Sequence, residues 1–229
     1  MNADGLASTG QGFLGTNMFA YCNNEPVAHG DSSGTYSVCF IATPGDGDPS
    51  IYDRTAAVEY AEKWYRSANT PQYESFVGNG GDCANFVSQC LIAGGLNMTR
   101  NWHSIGTKSR IWYMITGNEY LYDVSPAWKL VKEQYGCFSN AFNPNTNGTV
   151  IEITSKSQIY KIAKTETVRP GDLLYFMKGD EAAHAAMISS VESGMIFYTG
   201  HSMPRFNYPL SKTDIGGKYS SVCIIRIDN

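Results

Sequence analysis

"GGDCANFVSQCL", residues 80–91, turns a flexible glycine pair into an apolar run with an aspartate and a cysteine at the junction. From Cys83, apolar side chains recur at Phe86, Val87, Cys90 and Leu91, and this spacing of three and four predicts a helix. "AGG" at 93–95 supplies its C-terminal glycines. Gly80 and Gly81 allow a tight bend with no side chain over the thiol. Asp82 is placed to N-cap the helix. A helix start carries partial positive charge, which favours a thiolate and lowers a cysteine pKa, and its unpaired N–H groups are natural oxyanion donors. Cys83 therefore reads as a nucleophile, and Cys90, on the same face without such a turn, as a packing residue.

Working outward, "YDRTAAVEYAEKWYRSANT" (52–70) places Ala57, Tyr60, Ala61, Trp64 and Tyr65 on one helical face, with Asp53 or Thr55 as N-cap. "SPAWKLVKEQYGCF" (125–138) and "RIWYMITGNEYLY" (110–122) read as helical or mixed, and "SKSQIYKIAKT" (155–165) as a short helix. "LLYFM", "HAAMISSV", "MIFYTGHS" and "SSVCIIRI" are then four short strands separated by turns, with His184 opening the second. Helices first and an antiparallel meander afterwards give an α+β domain over 51–229. Residues 1–50, rich in Gly, Ser, Asn and Pro, read as an N-terminal extension: a pro-segment, a packing element or a binding element.

The 229 residues suffice for a sizeable core. A net charge of −4 and the lack of a basic stripe argue against nucleic acid as a partner. No stretch is long and apolar enough to predict a membrane span, and the first residues lack the basic and apolar regions of a signal peptide. The six cysteines form no CxxC pair, so no metal site is expected; their even number and wide spacing permit disulfides without demanding them, and Cys22 with Cys39 is the one pair offered.

A thiol nucleophile needs a base, and imidazole is the usual one. Of the four histidines, His29 lies in the irregular N-terminal segment and His103 in a polar loop. His184 sits beside the small Ala185 and Ala186, which leaves room around its ring, and is the expected base. His201, in the following strand, is expected to orient it, with Tyr198, Thr199 and Ser202 as weaker options. Trp102, Trp112, Tyr113, Trp128 and Tyr135 are candidates for an aromatic platform lining a substrate cleft, the alternative being ordinary core.

"GGDCANFVSQCLIAGG" closely resembles the signature of the putative amidase domain family of bacterial cell-wall enzymes, relatives of the NlpC-type and CHAP-type peptidoglycan hydrolases. "YDRTAAVEYAEKW", "SPAW", "RPGDLLYF", "HAAMIS" and "YTGHS" resemble further family segments in the same order, so the resemblance covers about residues 51–212. It implies a papain-like cysteine hydrolase fold, with Cys83 as nucleophile, His184 as base and His201 as orienting residue. Asp82 and Asn85 match the motif as shapers of the helix start, and Ser88 and Gln89 as buried polar support.

The expected activity is cysteine-dependent cleavage of an amide bond in peptidoglycan through a thioester, without cofactor or metal, by a secreted or wall-associated monomer. A phage lysin or a delivered effector would use the same chemistry. The rival readings are a cysteine peptidase or transpeptidase acting on a protein, and an inactive wall-binding module.

Overall fold

A computed structural model describes residues 52–70, 72–78, 81–96, 98, 102–104, 124–140, 150–165 and 167–227. The extension 1–50, the Cys22–Cys39 pairing, Trp112 and Tyr113 lie outside the described residues. The chain is α+β. Helices α1 (Arg54–Trp64), α2 (Cys83–Ala93), α3 (Pro126–Lys129) and α4 (Val131–Ser139) precede β1 (Val150–Ile153) and α5 (Lys156–Ala163). Strands β2 (Leu173–Lys178), β3 (Glu181–Glu192), β4 (Met195–Gly200), β5 (Arg205–Pro209) and β6 (Ser221–Ile225) complete a six-stranded antiparallel sheet.

Its order is β1-β6-β2-β3-β4-β5. Strands β2 to β5 form the expected meander, while β6 returns to the other side of β2 and β1 pairs outside it. β1 is only four residues long and β5 carries few apolar residues and is at most partly buried, so neither stands out in the sequence. β3 begins at Glu181, so His184 lies inside the strand, just after an irregularity where Phe176 pairs His184 but Met177 pairs Ala182. This corrects the expectation that His184 opens the strand.

Alternation along the strands sends side chains to two cores. On one face Tyr175, Ala185 and Met187 pack against α1, α2 and α4 through Ala57, Ala61, Phe86, Val87 and Phe138. On the other, Phe176, Ala186, Ile188 and Tyr198 pack with Ile159 of α5 and Leu210. The two helices that carry the motif are locked by close backbone approach. A Cβ on Gly94 would lie 2.3 Å from Tyr52 Cε2, and the Gly94 carbonyl accepts from Asp53 N at 2.9 Å. Asp53 also N-caps α1 by accepting from Ala56 N at 2.9 Å. The Arg54 guanidinium pairs with buried Asp172 at 2.7 Å and reaches the Ile227 carbonyl, tying α1 to the C-terminal end of the sheet.

No described helix is long and apolar enough to cross a membrane. Cys137 is disulfide-bonded, whereas Cys83, Cys90 and Cys223 are free buried thiols.

Candidate active site

Cys83 begins α2, only 6% exposed, on the helical face of the sheet. The chain enters through Gly81 at φ +110°, a conformation that favours glycine. Ile188 exchanges hydrogen bonds with Asp172 and Gly171 on the β2 side (2.9 and 2.8 Å), so strand alternation turns the Ala185 N–H toward β4. β4 ends at Gly200, and the sulfur of Cys83 faces that N–H in place of a strand partner. The nucleophile thus sits at a gap in the sheet.

Asp82 does not cap the helix. Its Oδ1 accepts from Phe76 N at 2.9 Å and Asn85 Nδ2 at 2.7 Å, and its Oδ2 lies 3.4 Å from His201 Nε2. The backbone N–H of Asp82 is taken by Ser202 Oγ at 3.0 Å. The first N–H groups of α2 are therefore left without a side-chain cap, which frees them for an anion. The sulfur itself faces the Cys83 and Ala84 N–H groups.

Asn85 continues the network. It is 1% exposed, donates to the Glu74 carbonyl at 2.9 Å and accepts from Trp128 Nε1 at 2.6 Å. Ser88 Oγ accepts from Trp102 Nε1 (2.8 Å) and Gln134 Nε2 (2.7 Å) and donates to the Trp128 carbonyl. Gln89 accepts from Tyr60 Oη at 2.7 Å. Each polar residue of the motif thus satisfies a buried partner on a different element. Gln134, a hub on α4 that also binds the Ala84 carbonyl and Tyr175 Oη, had no sequence signal because its partners are far along the chain.

Trp102 and Trp128 are both 0% exposed, with ring centroids 5.3 Å apart. The cleft platform expected of them is corrected: both indoles are core residues spent on supporting α2, and offer no face to a ligand. Tyr135 packs edge-on to Tyr175 at 5.2 Å.

The two histidines project to opposite faces. His201, 6% exposed, stacks on Phe86 at 5.3 Å and its Nδ1 lies 3.1 Å from the carbonyls of Trp64 and Tyr65. Nδ1 faces two acceptors and Nε2 a carboxylate, so the ring is best satisfied as the imidazolium. Burial opposes that charge, but Asp82 and the two carbonyls hold the His201 pKa above its usual value. His184 packs with Phe176 at 5.3 Å on the other face, and its Nε2 would lie 3.7 Å from a Cβ on Gly200. Burial, then the charges of Lys218 and Arg205, push its pKa down to about 4. The expected direct orientation of His184 by His201 is corrected, because strand alternation puts the sheet between the rings. His201 instead anchors Asp82 and the start of α2.

Burial also raises the Cys83 pKa, against the helix-start expectation, with the Ala185 N–H, the Ser202 hydroxyl and the N–H groups of Ala84 and Cys83 opposing it. The resting pair is accordingly a neutral thiol and a neutral imidazole. Ser202 was only a weaker alternative from sequence; here its hydroxyl bridges the helix start and the thiol. Ser202→Ala is expected to slow alkylation of Cys83 about tenfold at neutral pH, one pKa unit's worth, with Ser202→Thr restoring it. Peptide-resolved iodoacetamide labelling against pH checks this, since Cys90 and Cys223 must be counted apart.

Comparison with known proteins settles the family. A model of the Putative amidase domain matches residues 51–225, most of the chain and all of the site. The chain belongs to this amidase domain family. An amidase domain points to hydrolase chemistry. A stretch of 47 residues of the chain is 53% identical to the uncharacterized protein YhbB of Bacillus subtilis (strain 168). That stretch is 20% of this chain and only 14% of the relative's length. No solved structure matches the chain significantly.

Proposed function

We propose that the protein is a cysteine amidase or peptidase that cleaves an amide bond of bacterial peptidoglycan, with Cys83 as nucleophile. The observation that carries this reading is a free thiol at an uncapped helix start, facing N–H groups of its own helix and of a strand edge. His184 is the base. It is neutral, and no hydrogen bond to either ring nitrogen occurs among the described residues, whereas both nitrogens of His201 are engaged.

In this scheme the Cys83 proton passes to His184 through the gap where β4 ends, since the His184 ring packs beside Gly200 on the other face of the sheet, as the sulfur attacks the amide carbonyl. The first N–H groups of α2 and the Ala185 N–H receive the oxyanion. His184 returns the proton to the departing amine, leaving a thioester, and then activates the water that hydrolyses it. A thiol at a helix start packed on an antiparallel sheet supports a papain-like arrangement akin to NlpC-type and CHAP-type enzymes, and a wall substrate supports action outside the cell or at the wall.

Digestion of purified sacculi by the wild type and by Cys83→Ala, with mass spectrometry of soluble fragments, tests the substrate. New ends released only by the wild type name the bond; silence from the folded wild type on sacculi rejects a wall substrate. The base carries its own signature. His184 is functional only when neutral, so activity should persist at pH 5 and fall as pH drops through about 4. An acid limb near the usual histidine value of about 6.5 would reject His184 as the group that sets the profile. Unfolding controls at each pH are needed, because the unfolded imidazole binds protons between about 6.5 and 4 and stability falls over the same window.

A further inference from the structure

Two cations near His184 have no carboxylate partner among the described residues: Arg205 on β5 and Lys218 before β6. Arg205 is paired across the sheet with Gly200, the residue against which His184 Nε2 packs. Its guanidinium lies 4.0 Å over the Tyr208 ring. The Lys218 ammonium lies 5.2 Å from the Tyr219 ring, which is 5.0 Å from Phe176, which in turn is 5.3 Å from His184. Stacking on Tyr208 restrains the half-buried Arg205, whereas Lys218 is exposed and lies farther from its ring. The nearby Asp214 carboxylate is spent on the backbone N–H of Lys218 at 2.9 Å.

Two cations without a carboxylate partner among the described residues, the half-buried Arg205 and the exposed Lys218, lie around an imidazole that makes no hydrogen bond there. We propose that Arg205 and Lys218 bind a carboxylate of the substrate, so that the enzyme selects peptides bearing a free carboxylate close to the scissile amide. This inference rests on the proposed peptide-amide hydrolysis and names the substrate class within it. The guanidinium supplies a planar pair of donors and the ammonium a point charge, a combination suited to one carboxylate. A carboxylate at that position also offsets the two charges that work against protonation of His184. Its arrival makes the imidazole a stronger base, and recognition is coupled to catalysis. Burial remains the larger cause of the depression, so the shift is partial.

The test compares soluble muropeptides before and after conversion of their carboxylates to carboxamides with carbodiimide and ammonia. The wild type should cleave the untreated peptides at least about tenfold faster in kcat/KM, and Arg205→Gln with Lys218→Gln should bring that ratio close to one. A ratio near one in the wild type, or an undiminished ratio in the double variant, overturns the proposal while leaving amide hydrolysis intact. Binding of the same two peptide pools to Cys83→Ala, followed through the His184 ring resonance, separates the two readings. Selective binding of the untreated pool with an upward His184 titration supports the subsite even if the wild type cleaves neither pool. Equal binding of both pools, or of neither, rejects it.

Discussion

Cys83→Ala is expected to lower amide hydrolysis by roughly ten-thousand-fold, with Cys83→Ser close behind, while the folded state persists. A nucleophile and its base act as a unit, so loss of the sulfur leaves only what the oxyanion donors and substrate binding supply. Serine keeps the position but not the chemistry, because a buried hydroxyl is a far poorer proton donor to His184 than a thiol. The thiol side chain is small and at the edge of its core, so removal should cost stability no more than about 1 kcal/mol. Cys90→Ala is the matched control: that thiol is fully buried one turn from the end of the same helix. It should retain activity and lose modest stability. Initial rates on a defined peptide amide, read beside unfolding midpoints, decide the matter. Retention of a tenth or more of the rate by Cys83→Ala would show that the sulfur forms no obligatory bond.

The largest loss of stability should follow Asp82→Ala. That substitution strands three partners at once: Phe76 N, Asn85 Nδ2 and the cationic ring of His201, which is 6% exposed. Removing one side of a buried pair leaves an uncompensated charge and costs about 3–5 kcal/mol, or a midpoint shift of roughly 10 °C for a domain of this size. The pH dependence separates the ion pair from simple packing. His201 has a raised folded pKa, so its contribution is complete below about pH 6.5 and is lost as pH rises through the folded value. The Asp82→Ala deficit should therefore be greatest in mildly acidic solution and narrow toward alkaline pH. A deficit independent of pH, measured by chemical denaturation, would assign Asp82 a purely hydrogen-bonding role. Asp82→Asn, which keeps volume and one acceptor, should fall between the two.

Much of this arrangement was written locally. The 3.6-residue periodicity after Gly81 and after Asp53 placed α1 and α2 within a residue or two: α1 buries the stripe of Ala57 and Ala61, while α2, buried on every side from Cys83 to Leu91, is bracketed by glycines at both ends. The glycine–aspartate–cysteine junction marked the nucleophile for the same reason: a helix start and its free N–H groups are properties of contiguous backbone. The strands β2, β3, β4 and β6 were visible from their apolar runs and turns, while the edge strands were not, since β1 is only four residues long and β5 is at most partly buried and needs little hydrophobic pattern.

What lay beyond the sequence depended on faces and on burial. Whether His184 and His201 meet is decided by strand parity and by the irregularity at Phe176 and Met177, a register that spacing along one chain does not encode. The Asp82 carboxylate left its own helix because Phe76, Asn85 and His201, up to 119 positions away, offered it better partners than the cap. The tryptophans became core because their indole N–H groups found Ser88 and Asn85 inside. The sequence alone thus determined which elements form and where the thiol stands, since backbone propensity and apolar period act over neighbouring residues. Only the tertiary structure decided which groups face that thiol, because desolvation, pairing of buried charge and the side of the sheet arise from contacts between distant segments.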